Sequence, residues 1–310
     1  MNIKAKVWLI IAVVLIFIGC ILFCGVMMRM KWDFKSLSTT KYETNIHTVT
    51  DAFTNICITT DTADTVFKPS EDGTVSVECY EQVNSHHAVS VKDGVLCIEV
   101  TDTRRWYDYI GINFGSPKIT VYLPAQAYDT LTLTGRTGDV EIPQDFSFGS
   151  VDVLRTTGNI TNYASATEGM RLQTSTGDVF VEGVTTTALH ISASTGRITM
   201  ASVTCSGDIS VDVSTGRVKI TDVTCTSLHT HGDTGDVLMD NVVATEAFYI
   251  DRDTGDVIFE GCDAATLSVI TNTGDVKGDL ITGKTFIPCT DTGRVMVPST
   301  SGGRCEITPD

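Results

Sequence analysis

The sequence predicts an all-β protein: a right-handed parallel β-solenoid of nine rungs, with an N-terminal β cap and one transmembrane helix ahead of it. Three observations predict it. A short phrase, Thr-Gly, then a polar or charged residue, then Val or Ile, recurs nine times. Apolar residues alternate with polar ones on both sides of that phrase. An uninterrupted apolar run opens the chain.

The phrase sets the period. Its glycines are Gly138, Gly158, Gly177, Gly196, Gly216, Gly235, Gly255, Gly274 and Gly293, spaced 20, 19, 19, 20, 19, 20, 19 and 19 residues apart. Periods of this length are the signature of repeat architectures. Around Gly216, Ile209, Val211 and Val213 alternate with Ser210, Asp212 and Ser214, and Val218 and Ile220 follow the turn. Period-2 alternation indicates strands with one buried face. A third apolar position follows each corner at Val184, Val203, Val223, Val242, Cys262 and Ile281, with small residues two positions on. One such repeat cannot bury its own apolar side, whereas stacked repeats share a continuous core. Each repeat therefore reads as a strand, a Thr-Gly corner, a second strand, a short third side and a return one layer up. Parallel crossovers are almost always right-handed. Strands about 4.8 Å apart make nine rungs a rod on the order of 40 Å long. Glycine suits the corner because a tight turn often needs positive φ.

Val7 to Met28 is a run of 22 residues without charge. At 1.5 Å per residue it spans the roughly 30 Å of bilayer hydrocarbon. It is expected to anchor residues 1–35 in a lipid bilayer as an uncleaved signal-anchor. Lys4 and Lys6 flank one end and Arg29, Lys31 and Lys35 the other, so charge does not fix the orientation. Phe17-Ile18-Gly19-Cys20 offers a second reading, a lipoprotein signal with Cys20 as lipid acceptor. Against it, Ile21, Leu22 and Phe23 continue the apolar run. Residues 36–45 read as a polar linker. Residues 46–125 read as a non-repetitive β cap, with alternation at Ile56/Ile58, Val75/Val77 and Leu96/Ile98/Val100 and turn signals at Asp72-Gly73 and Asp93-Gly94. Its last strand, Lys118 to Leu123, leads into the first rung. The repeats occupy 126–300, and 301–310 form a tail.

The chain carries a net charge of −16, and residues 1–35 hold five of its 22 basic residues but one of its 38 acidic ones. Such a surface is soluble and self-repelling, and it is not built to attract nucleic-acid phosphates.

A membrane segment, a short β preamble, the strand Ile119-Thr120-Val121-Tyr122-Leu123-Pro124, and then Thr-Gly-Asp-Val in register resembles one bacterial β-strand-repeat family. This is domain of unknown function 4097, an adhesin-like family. The resemblance covers roughly residues 46–300. It implies a single-stranded β-solenoid anchored at a bacterial cell surface, without catalytic residues. The chain departs from the phrase at Arg197, Arg217 and Arg294, where Asp is usual, and at Asn159.

Three groups of residues could carry chemistry. Asp236, Asp256 and Asp275 follow the corner glycine in consecutive rungs, with Asp233, Asp253 and Asp291 just before it. Stacked carboxylates repel unless compensated. A hard cation such as Ca²⁺ is one compensation. Turn bonding, with the carboxylates facing water, is the other reading. His229-x-His231-x-Asp233 lies on one outward face, with Asp212 and Asp251 expected beside His231. These are zinc-type ligands, or a solvated strand. Trp106, Tyr107 and Tyr109, after Arg104 and Arg105, form either a ligand patch or a loop that covers the open end of the coil. Cys205 and Cys225 share one column, within reach of a disulfide or as stacked thiols.

No nucleophile elbow, zinc-protease helix or phosphate loop appears, and no cofactor is expected. The expected function is non-catalytic: binding or structural display at the cell envelope, on a single-pass anchor with the solenoid outside. The partner would be an envelope protein or a glycan. Two other classes use related solenoids: cytoplasmic membrane-tethered scaffolds that polymerise, like the bactofilins, and polysaccharide-active enzymes.

Overall fold

The structure is a computed structural model that describes residues 3–33, 40–106, 115–282 and 286–296. Helix α1 spans Ile3–Arg29 and passes through Cys20 without a break. From Lys6 to Arg29 it is long and apolar enough to cross a membrane. All its side chains over that span are exposed except Met27, so the other described residues offer this helix no apolar partner along most of its length.

Among the described residues the remainder is one continuous β structure of 24 strands. Strands from successive repeats pair in parallel and in register. Leu189, Ile191 and Ala193 sit under Ile209, Val211 and Val213, which sit under the strand that carries Leu228 and Thr230. After the corner, Ile198 and Met200 sit under Val218 and Ile220, then Val237 and Met239. Nearly all of these inward residues are at most 4% exposed and belong to one core that runs the length of the coil. The nine corner glycines thus mark a solenoid of about eight turns, stacked by backbone hydrogen bonds. At each step the glycine N–H donates to the threonine carbonyl one rung on, as from Gly177 to Thr195 at 3.0 Å.

The corner places two demands on glycine. From Gly138 to Gly274 φ lies between +122° and +156°, a region open essentially to glycine alone. From Gly158 to Gly274 a Cβ would also fall on the carbonyl group of the corner glycine one rung below. A second corner column carries left-handed backbone at Gly183, Ser202, Asp222, Asn241 and Gly261, with φ between +53° and +67°. A Cβ at Gly183 or Gly261 meets nothing within 4 Å, which is why serine, aspartate and asparagine also stand in this column. Just past this second corner the short third side buries Val184, Val203, Val223, Val242 and Cys262. Ile281, expected in the same column, is 60% exposed: the third side of the rung that follows it lies outside the described residues.

The cap is built from β1 (Tyr42–Val49), β2 (Asn55–Thr60), β3 (Asp64–Pro69), β4 (Val75–Gln82), β5 (Ser85–Lys92), β6 (Val95–Asp102) and β7 (Lys118–Leu123). β1 begins inside the segment read as linker. As an edge strand antiparallel to β4 it buries no side chain fully, so no apolar alternation marks it. The layer against the first rung is not β7, the strand that leads into it. β2 and β3 are inserted there: Ile56 and Ile58 sit under Leu131 and Leu133, and Thr65 under Val140. β6 and β7 lie one layer further out, parallel to β2 and β3. The corner between β2 and β3 contains Ala63, whose carbonyl lies under Gly138. A rung without the Thr-Gly phrase therefore founds the coil, and antiparallel β1, β4 and β5 close the end below it.

Candidate functional site

The seam between the cap and the first two rungs holds a groove of about 480 Å³, lined by Thr59, Asp61, Val100, Asp102, Arg136 and Leu154 among others. Asp61 lies at the β2–β3 corner, and Asp102 ends β6. Arg104 joins them: its Nη2 lies 2.7 Å from Asp102 Oδ2 and 3.3 Å from Asp61 Oδ2, and its backbone N–H and Nε also donate to Asp102 Oδ1. Arg136 approaches Asp61 Oδ1 at 3.5 Å from the first rung. Leu154 is 42% exposed in this groove, and Trp106, two residues past Arg104, is 75% exposed. The groove thus sets apolar surface beside two carboxylates that Arg104 bridges from behind, with the exposed Arg136 at its rim, which suits recognition of a polar partner. Of the aromatic patch, Tyr107 and Tyr109 lie outside the described residues.

The aspartate column after the corners is a ladder. Each side chain accepts the backbone N–H of its equivalent one rung on. Asp139 N donates to Asp64 Oδ1 (2.9 Å), Asn159 N to Asp139 Oδ1 (2.7 Å), Asp178 N to Asn159 Oδ1 (2.8 Å) and Arg197 N to Asp178 Oδ1 (2.7 Å). The ladder resumes from Asp236 to Asp256, Asp275 and Arg294. The bonds thus run between rungs rather than within one turn. Positive charge comes from the chain itself. Lys277 Nζ lies 3.2 Å from Asp256 and 2.8 Å from Asp275, Arg294 reaches Asp275 at 2.8 Å, and Arg217 reaches Asp236 at 3.1 Å. Hydrogen bonds from Lys277 and Arg294 hold the Asp275 carboxyl well below the usual carboxylate range. Of the arginines that depart from the phrase, Arg197 and Arg294 each end a run of the ladder by donating a backbone N–H, while Arg217 and Arg294 reach a neighbouring aspartate through the guanidinium. Replacing Asp178 by asparagine is expected to leave stability unchanged, since Asn159 already plays that part. Alanine there should cost about 1 kcal/mol, read by thermal unfolding, because the Arg197 N–H loses its partner.

On the outer face further along, His231 lies between Asp212 and Asp251 in register, with Nδ1 3.4 Å from Asp251 Oδ2. His229 stacks on Tyr249, ring centroids 4.8 Å apart. They line a depression of about 260 Å³ with Ile270. Cys205 and Cys225 are buried free thiols in one column. Burial, and next the Cys205 neighbour, pushes the Cys225 thiol up to about 12.

One cluster gave no sequence signal. Glu81 on β4 and His87 on β5 are buried together, and Thr60 Oγ1 lies 3.0 Å from His87 Nε2. Hydroxyl, imidazole and carboxylate stand in the order of a nucleophilic triad. Thr60 is 4% exposed, so this chain of bonds is part of the cap's interior and not an open reaction centre. Alternation continues the inward face from Val77 and Cys79 to Glu81, but a charged side chain there masks that continuation, and nothing in the pattern brings His87 to it.

Comparison with known proteins places this geometry. The Toastrack DUF4097 family model matches residues 53–211 and 189–293. A crystal structure from Bacteroides fragilis, described as a "putative adhesin", is 17% identical. It matches over 83% of this chain and 97% of that one, with a TM-score of 0.43. A "putative lipid binding protein" from Parabacteroides distasonis is 12% identical over 84% and 98% of the two chains, TM-score 0.49. A "putative adhesin" from the same species is 13% identical over 83% and 98%, TM-score 0.47. No curated protein matches. With its corner phrase, its stacked rungs and a family match that spans most of its length, the chain belongs to the Toastrack DUF4097 family.

Proposed function

We propose that this protein is a membrane-tethered rod that presents a non-catalytic binding surface at the cell envelope. The observation that carries the reading is the exposed apolar helix α1 at one end of a long, hydrogen-bonded coil. An apolar helix without a partner in its own chain is covered by lipid. A coil stacked by parallel ladders holds its outer faces at fixed positions relative to one another.

The seam groove is the surface assigned to the partner, with Leu154 and Trp106 as apolar contacts and Asp61, Asp102, Arg104 and Arg136 as polar ones. Buried apolar anchors beside guanidiniums are typical of binding hot spots. The partner is an envelope protein or a glycan, and the solenoid lies outside the membrane. The test uses the full-length chain in lipid vesicles, incubated with isolated bacterial cell walls. Retention of the vesicles is expected, and a drop of tenfold or more for Leu154→Asp combined with Trp106→Ala. Equal retention of both proteins, or none of either, defeats the reading. Protease added to intact cells should remove the solenoid; digestion only after lysis defeats the external location.

A further inference from the structure

The cap encloses a set of metal-ligating side chains that surface binding does not use. Cys79 and Glu81 alternate on β4 and face inward, and His87 faces them from β5; they are 0, 1 and 5% exposed. Their ligand atoms lie within 4.8 Å of one another, the one such trio among the described residues. A carboxylate and an imidazole taken out of water are costly unless their remaining atoms are satisfied. Here they are. Glu81 Oε1 accepts from Asn45 Nδ2 at 2.8 Å, and Glu81 Oε2 accepts from the His87 backbone N–H at 2.7 Å. His87 Nδ1 lies 2.7 Å from the same Oε2, and Nε2 lies 3.0 Å from Thr60 Oγ1.

These outer contacts are the kind that orient metal ligands. A ligating histidine is held through its other ring nitrogen, and a ligating carboxylate through its other oxygen. Thr60 and Asn45 occupy those two places. Bound thus, Nε2–H donates to Thr60 and the Nδ1 lone pair points to Glu81 Oε2 and Cys79 Sγ.

We propose that Cys79 Sγ, Glu81 Oε2 and His87 Nδ1 bind one zinc(II) ion, with a water in the fourth position. Sulfur, nitrogen and oxygen donors in a tetrahedron suit zinc. Charge balances: one thiolate and one carboxylate neutralise Zn²⁺, and the imidazole is neutral. The thiol proton leaves as the metal enters, and a second proton leaves when the imidazole starts charged. Without a cation the thiol holds its proton, since burial and the Glu81 and Glu78 carboxylates push it up to about 12. Two ligands 2.0–2.1 Å from zinc stand roughly 3.3 Å apart, so the Glu81–His87 pair opens by about half an ångström on loading. A void of about 10 Å³ adjoins His87, and Asp61 and Val100 line both that void and the seam groove. It has room for about one water. Zinc here ties β4 to β5, and the bond from His87 Nε2 to Thr60 holds that pair against β2 beneath the first rung.

The test uses full-length protein in detergent, freed of metal by a chelator and titrated with Co²⁺ as a zinc probe. A thiolate-to-cobalt charge-transfer band is expected, saturating at one ion per chain and bleached by Zn²⁺. Cys79→Ser should abolish it, and His87→Asn should weaken cobalt binding at least tenfold. Glu81→Gln, which keeps the side chain's volume, should weaken it similarly, and it serves as the readout if the serine variant fails to fold. His229→Asn with His231→Asn should leave the band unchanged. No band in the unmodified protein, a band that survives Cys79→Ser, or affinity unchanged in Glu81→Gln overturns the proposal. So does a band lost only with His229 and His231.

Discussion

Replacing Gly216 by alanine is expected to destabilise the full-length protein by about 4 kcal/mol, enough to unfold the rungs around it. Two costs add. The backbone there has φ of +152°, and holding a non-glycine residue in such a region costs about 1–3 kcal/mol. The new Cβ would also fall on the carbonyl of Gly196 and meet Val213 Cγ1 at 3.3 Å. Overpacking of this kind adds about 1–3 kcal/mol. The carbonyl cannot swing aside, because Gly196 is fixed between hydrogen-bonded neighbours: its own N–H donates to Thr215, and the Gly216 N–H donates to Thr234. Ser214→Ala, two residues away on the exposed face, should stay within about 0.5 kcal/mol of the parent. Denaturant unfolding in detergent compares them. A Gly216→Ala protein less than about 1 kcal/mol below the parent would mean that the corner is not close-packed from rung to rung.

The corners were legible because one residue type answers two local demands at every layer. The second corner column escaped notice because Gly183, Ser202, Asp222, Asn241 and Gly261 share only a tolerance for left-handed backbone, and its open space leaves no single residue required. Alternation gave the inward faces and the neighbours of His231, since register follows from the period alone. It could not give the insertion of β2 and β3 beneath the first rung, because that pairing joins segments far apart in the chain with no shared phrase. Nor could it give the Cys79–Glu81–His87 cluster. Glu81 and His87 meet across a sharp antiparallel turn, and Thr60 comes from another layer. The seam groove was visible only in part. Trp106 stood out as an aromatic beside arginines, while Asp61, Asp102 and Leu154 come together only when cap and coil are stacked.

Gly135 should answer differently from Gly216, because what fills the space above it is a side chain. Arg155 stands directly over Gly135 in register and is 1% exposed. Its Nη2 donates to Thr65 Oγ1 at 2.9 Å and to the Ala63 carbonyl at 3.4 Å, while Nε and Nη1 have no protein partner. Burial draws this guanidinium down to about 10, against the pull of Asp64 and Asp139. A Cβ on Gly135 would land on Arg155 Nη1 and Cζ and touch Thr60 Cγ2 at 3.0 Å. Gly135→Ala alone should therefore cost about 2 kcal/mol. Arg155→Met removes a poorly paired buried charge and keeps much of the volume, so it should lie within about 1 kcal/mol of the parent or above it. In the Arg155→Met background, Gly135→Ala should cost less than about 0.5 kcal/mol, a coupling of about 1.5 kcal/mol across one rung. Additive effects in that cycle would mean that the arginine does not occupy the glycine's space. Gly232 provides the intermediate case. Its added Cβ would meet both Arg252 Nη1 and the Val213 carbonyl, so removing the arginine there should restore only part of the loss. Each glycine thus reports what lies over it: a backbone that cannot yield at Gly216, a side chain that can at Gly135, and one of each at Gly232.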